Sequence, residues 1–103
     1  MLRRRRFDDV IRRQLDLFES EHRDLIDEVE RAERAYDEAD RDDAEERYGD
    51  YLDLVETGTE ALAGVRDGFA STLADDAAEE YEAAFNRAVL KRLRRFAVDI
   101  ENA

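Results

Sequence analysis

Nine residues at the start of the sequence recur at steps of four and three: Ile11, Leu15, Phe18, His22, Leu25, Val29, Ala32, Tyr36 and Ala39. Such spacing puts all nine side chains on one face of a helix, and a face of that kind must be buried against other helices. Continued at the same step, the stripe meets Asp43, Glu46, Asp50 and Asp53, so it ends at Ala39. A second stripe starts in a new phase with Ala44, Tyr48, Tyr51, Val55, Gly58, Leu62, Val65, Phe69 and Leu73. A third follows through Ala78, Tyr81, Phe85, Val89, Leu93, Phe96 and Ile100. The two phase changes predict turns near 40–43 and 74–76. Asp42 with Glu45 forms a capping pair at the first; Asp76 with Glu79, or Thr72 with Asp75, does so at the second.

The expected helices span 6–39, 43–73 and 76–101, about 50, 46 and 39 Å long at 1.5 Å per residue. Helices of similar length joined by short turns lie antiparallel. The predicted fold is therefore all-α: one domain built as an up-down-up antiparallel three-helix bundle with long helices. Thr57-Gly58-Thr59-Glu60 offers a capping box inside the second helix, but the stripe keeps its phase across it, which favours one helix. Gly64 and Gly68 point to a close crossing with a neighbour. The seams hold about twenty sizeable apolar side chains, each worth about 1.5–3 kcal/mol when fully buried. Ordering a chain of this size costs on the order of 150 kcal/mol, so a narrow bundle is marginal and association is favoured.

Composition narrows the function. The 103 residues include no Cys, no Pro, no Trp and one His. That excludes a disulfide scaffold, a cysteine-based zinc site, a cysteine nucleophile and any site needing two histidines. No stretch of about 18 apolar residues exists to span a membrane. Met1 to Arg6 is charged like the start of a signal peptide, but Phe7-Asp8-Asp9 follows instead of an apolar run. The expected setting is cytoplasmic, and sixteen Arg against one Lys suggests a bacterial genome rich in GC.

Charge is segregated. Residues 1–13 carry net +4, residues 14–86 net -19 and residues 87–103 net +3. Bundle geometry predicts that the start of helix 1 meets Asp75, Asp76, Glu79 and Glu80. It also predicts that the cations ending helix 3 (Arg87, Lys91, Arg92, Arg94, Arg95) meet Asp37, Glu38, Asp40, Asp42 and Asp43. Residues 1–6, with Arg3 to Arg6, are expected to form a mobile basic arm. A nucleic acid partner is not expected, because the acidic middle repels a phosphate backbone.

His22 lies on the first stripe with Glu19 three residues before it. A Glu-x-x-His turn resembles the ligand turn of ferritin-like di-iron bundles, which need further carboxylates and a second such turn. Glu56, Glu60, Glu79 and Glu82 are available on the other helices, but a second His requires a homodimer. The plainer expectation is a histidine hydrogen-bonded to a neighbouring helix, with no metal and no cofactor. Tyr36, Tyr48, Tyr51 and Tyr81 fall on seams, as core rings with hydroxyls at the rim. Some apolar residues lie off the seams, among them Val10 and Leu17 on helix 1 and Leu90 and Val98 on helix 3. These four are the expected interface of an antiparallel homodimer.

The sequence thus points to a small acidic helical interaction protein rather than an enzyme, working by self-association or by docking to a protein partner. Two alternatives are a ferritin-like carboxylate and histidine metal protein assembled across a dimer, and an acidic regulator of a basic protein.

Overall fold

The structure, a computed structural model, describes residues 6–103. It is all-helical, with no strand among the described residues. Four α-helices replace the expected three: α1 Asp8–Glu21, α2 Arg23–Asp37, α3 Ala44–Ala70 and α4 Asp75–Arg92. Two short 3-10 turns follow, Arg94–Phe96 and Ile100–Asn102. Among the described residues no helix is long and apolar enough to cross a membrane. The basic-arm expectation falls outside the described residues, except for Arg6.

The up-down-up path survives with two corrections. First, the helix expected over 6–39 breaks at His22, whose φ of -116° and ψ of 28° leave the helical region. The Phe18 carbonyl accepts both the His22 backbone N–H (2.9 Å) and the His22 ring at Nδ1 (3.2 Å). A carbonyl only accepts, so the ring hydrogen sits on Nδ1. The ring stacks on Phe18 with centroids 4.5 Å apart. His22 thus closes the end of α1 within its own helix, rather than bonding to a neighbouring one. Phe18 and Val29 are both buried on either side of the break, so the stripe continues across it.

Second, the helix expected to reach 101 stops at Arg92. Leu93 turns the chain (φ -131°, ψ 57°), and residues 94–103 fold back along α3. Phe96 lies against Gly58, while the Arg66 guanidinium reaches the main-chain oxygens of Ile100 (2.6 Å) and Ala103 (2.8 Å). A Cβ at Gly58 would run into the Phe96 ring, so this glycine permits the crossing. Gly64 and Gly68 meet nothing within 4 Å and permit no crossing. Helix α3 runs unbroken through Thr57 and Gly58, as the constant phase predicts. The expected capping pairs do not form: neither α3 nor α4 begins with a side-chain cap bond.

The core gathers Phe7, Ile11, Leu15, Phe18, Val29, Leu62, Tyr81, Phe85, Val89, Leu93, Phe96 and Ile100. Phe7, Phe69 and Phe85 surround Tyr81 at centroid distances of 5.5, 4.7 and 5.9 Å. The Tyr81 hydroxyl donates to Gln14 Oε1 at 2.7 Å, and burial pushes its pKa up to about 12. These contacts make the lower half of the molecule a three-layered base of α1, α4 and the second half of α3. Above the end of α4, α2 and the first half of α3 continue as an antiparallel hairpin of two helices.

Candidate interaction surface

The base buries most of what it owns; the hairpin does not. Helix α2 has one buried residue, Val29, and the buried residues of α3 begin only at Gly58. Tyr48 and Leu52 are 44% and 43% exposed, and Tyr36 is exposed beside them. The three tyrosines form a short ladder, Tyr36 to Tyr48 at 5.1 Å and Tyr48 to Tyr51 at 6.4 Å.

Helix periodicity explains why the hairpin is bare. Thr59 and Ala63 lie about two and three turns beyond Leu52, and Ala70 about five, so the four share one face of α3. Arg66 likewise follows Tyr48 after about five turns. In the base this face is covered: the Thr59 hydroxyl lies 3.4 Å from the Phe96 carbonyl, and Arg66 is only 5% exposed beneath the returning tail. Because α4 ends at Arg92, no element among the described residues lies over the face where Tyr48 and Leu52 sit. Glu45 and Glu56 bracket the pair one turn away on each side, and both are exposed.

Charge divides along the same line. Residues 27–53 hold 13 acidic residues against four arginines. The cations of α4 and the tail lie lower than expected. Arg92 grips Glu19 through Nε (3.0 Å) and Nη2 (2.7 Å), and its Nη2 also reaches Asp16. These bonds hold the Arg92 pKa above its ordinary value. Arg95 donates to Glu33 Oε1 through Nε and Nη2 at 3.1 and 2.8 Å, which lowers the Glu33 carboxyl pKa. Tyr51 beside it is raised, first by burial and then by the Glu33 charge. Arg92 and Arg95 therefore pair with the end of α1 and the middle of α2, not with the turn at 40–43, because α4 is too short to reach that turn. At the other end the expectation holds: Arg6 pairs with Glu80 at 3.7 Å.

Between α1 and α4 runs a groove of about 390 Å³ with Ile11, Leu15, Ala84 and Ala88 beneath and Arg12, Arg87 and Lys91 among its walls. Arg12 pairs with Asp9 at 3.1 Å, whereas Arg87 and Lys91 make no ion pair with any described residue.

The four residues expected at an interface are not gathered onto one surface. Val10 packs against the core. Leu17, 57% exposed, sits about 200° around α1 from Leu15 and so points away from the α1–α4 groove. Leu90, also 57% exposed, lines a separate groove with Ala97 and Ile100, and Val98 is 83% exposed between the two 3-10 turns. For the Glu19 and His22 pair, the carboxylate is held by Arg92 and the ring by Phe18. Among the described residues no group of three or more His, Cys, Asp or Glu side chains is placed to hold a metal ion. Sequence reasoning missed Arg66, whose Nε also bonds Asp67 (2.8 Å) and whose Nη1 bonds Asn86 (3.1 Å). A stripe did carry it: Thr59, Ala63, Arg66 and Ala70 step by four, three and four, but small and charged residues hide such a face from a hydropathy reading. The chain matches no family model, no curated protein and no solved structure.

Proposed function

We propose that this protein is a helical interaction module that works by docking its hairpin onto another protein surface, not by catalysis. One observation carries the reading. A face of α3 that is sealed in the base continues upward as Tyr48 and Leu52, exposed and bracketed by carboxylates. Aromatic and aliphatic side chains ringed by charge make an anchor with a polar rim, the arrangement that supplies affinity at its centre and orientation at its edge. The fitting surface carries an apolar hollow with cations around it, which also accommodates the role of an acidic regulator of a basic protein.

Site-specific photocrosslinking in the native cell tests this. A photoreactive side chain in place of Leu52 is expected to capture protein, while one in place of the exposed Thr57, about 140° around α3 from Leu52, is not. Equal labelling at both positions, or none at Leu52, would remove the hairpin as a docking surface.

A further inference from the structure

We infer that the partner is a second copy of this chain, and that the groove between α1 and α4 receives the Tyr48 and Leu52 face of the other copy's hairpin in an antiparallel dimer. This rests on the docking reading above and names its partner. The groove supplies what the hairpin face lacks. Its alanines, Ala84 and Ala88, leave a hollow of about 390 Å³, room for large side chains such as Leu52 and Tyr48. Its walls supply Arg87 and Lys91, both without an ion pair, and Glu45 and Glu56 beside the anchor are likewise without one among the described residues. Opposite charges arranged around an apolar contact set orientation and suppress the wrong register.

Inverting one copy about a two-fold axis perpendicular to the long axis sets hairpin beside base in both directions at once. A parallel pair would instead bring two hairpins together, with 13 acidic residues on each. The inverted pair buries the same contact twice, which is how an isologous interface closes.

The test is sedimentation velocity on the full chain in about 0.1 M salt, where charge contacts still act across about 10 Å. Wild type is expected to be a dimer at tens of micromolar. Arg87→Glu with Lys91→Glu is expected to weaken association at least about tenfold, and Leu52→Glu to do the same. Adding Glu45→Lys and Glu56→Lys to the first pair is expected to restore the dimer, which separates lost complementarity from lost folding. A wild type that stays monomeric at 100 µM overturns the inference. So does a charge-reversed variant that dimerises like wild type. A monomer whose Arg87 and Lys91 amide resonances shift with inorganic phosphate would reassign the groove to small anions. A monomer that still crosslinks another protein from Leu52 would leave the docking reading standing and remove only the second copy.

Discussion

Helix α3 spends its 27 residues in two different environments. From Gly58 onward it contributes Gly58, Thr59, Leu62, Ala63, Arg66 and Ala70 to the interior; from Ala44 to Thr57 it contributes nothing fully buried. Yet the bare half is the more aromatic one, with Tyr48, Tyr51, Leu52, Leu54 and Val55, while the covered half hides one leucine beside a threonine, three alanine or glycine residues and an arginine. Burial in this molecule follows what lies above a face, not how apolar the face is. The base has α4 and the returning tail; the hairpin has only its own two helices, and Tyr36, Tyr48 and Leu52 stay exposed.

The comparison breaks most visibly through large-to-small substitution. Phe85→Ala, at a fully buried ring of the base, is expected to cost about 3–5 kcal/mol in urea unfolding. Tyr48→Ala in the hairpin is expected to stay within about 1 kcal/mol on a monomer, because its ring is already half in water. Equal losses would mean that the two halves are equally packed.

Next in size is Arg66→Met. It leaves the Ile100 carbonyl and Asn86 without their donor, at about 1–3 kcal/mol for each buried acceptor. Hydrogen exchange should then accelerate over residues 94–103 before it does so in α2. Uniform acceleration along the chain would show that Arg66 does not hold the tail in particular.

Glycine substitutions sharpen the same contrast within one helix. Gly58→Ala forces a Cβ against Phe96 and is expected to destabilise by about 1–3 kcal/mol before a helix-propensity gain of about 1 kcal/mol offsets part of it. Gly64→Ala and Gly68→Ala enter open space and should each stabilise by up to about 1 kcal/mol. Thermal midpoints moving in the same direction for all three would refute the close crossing at Gly58.

The smallest effect concerns pH. Arg95 holds the Glu33 carboxyl below its ordinary value of 4.5 in the folded chain. The pair therefore stabilises above that pH and the benefit is lost as pH falls through the lowered value. Both partners are largely solvated, so the contribution is expected to be well under about 1 kcal/mol. The difference in stability between wild type and Arg95→Gln should shrink on acidification; a constant difference would exclude the charge pairing as its source.

Much of the architecture was legible in the spacing of apolar residues. The three stripes place Leu15, Phe18, Val29, Leu62, Tyr81, Phe85 and Val89 in the core, and their phase breaks locate both reversals of the chain. Spacing was silent about His22, because the stripe runs through the break without changing phase and only the ring's competition for the Phe18 carbonyl marks it. It was silent about Arg92 for a related reason. Leu93, Phe96 and Ile100 follow Val89 at steps of four, three and four, and that series suits successive 3-10 turns folded onto a core as well as one more stretch of α-helix. The shortened α4 in turn decides which acids the basic end meets and which face of the hairpin stays open. The open face of the hairpin was thus hidden behind a single misplaced helix end, and the groove beside Arg87 and Lys91 behind alanines that no hydropathy stripe distinguishes.

The returning tail has a consequence in time. Contacts within the hairpin join residues close in sequence, such as Tyr36 and Tyr48, whereas Arg66 waits for oxygens as many as 37 residues downstream. Short loops close at less entropic cost than long ones. On a chain growing from its first residue, the less buried half can therefore take shape while the denser half still lacks Phe96 and Ile100. The half that ends up most buried is the one whose contacts span the most chain, and until they close the surface offered to the surroundings includes its unfinished core.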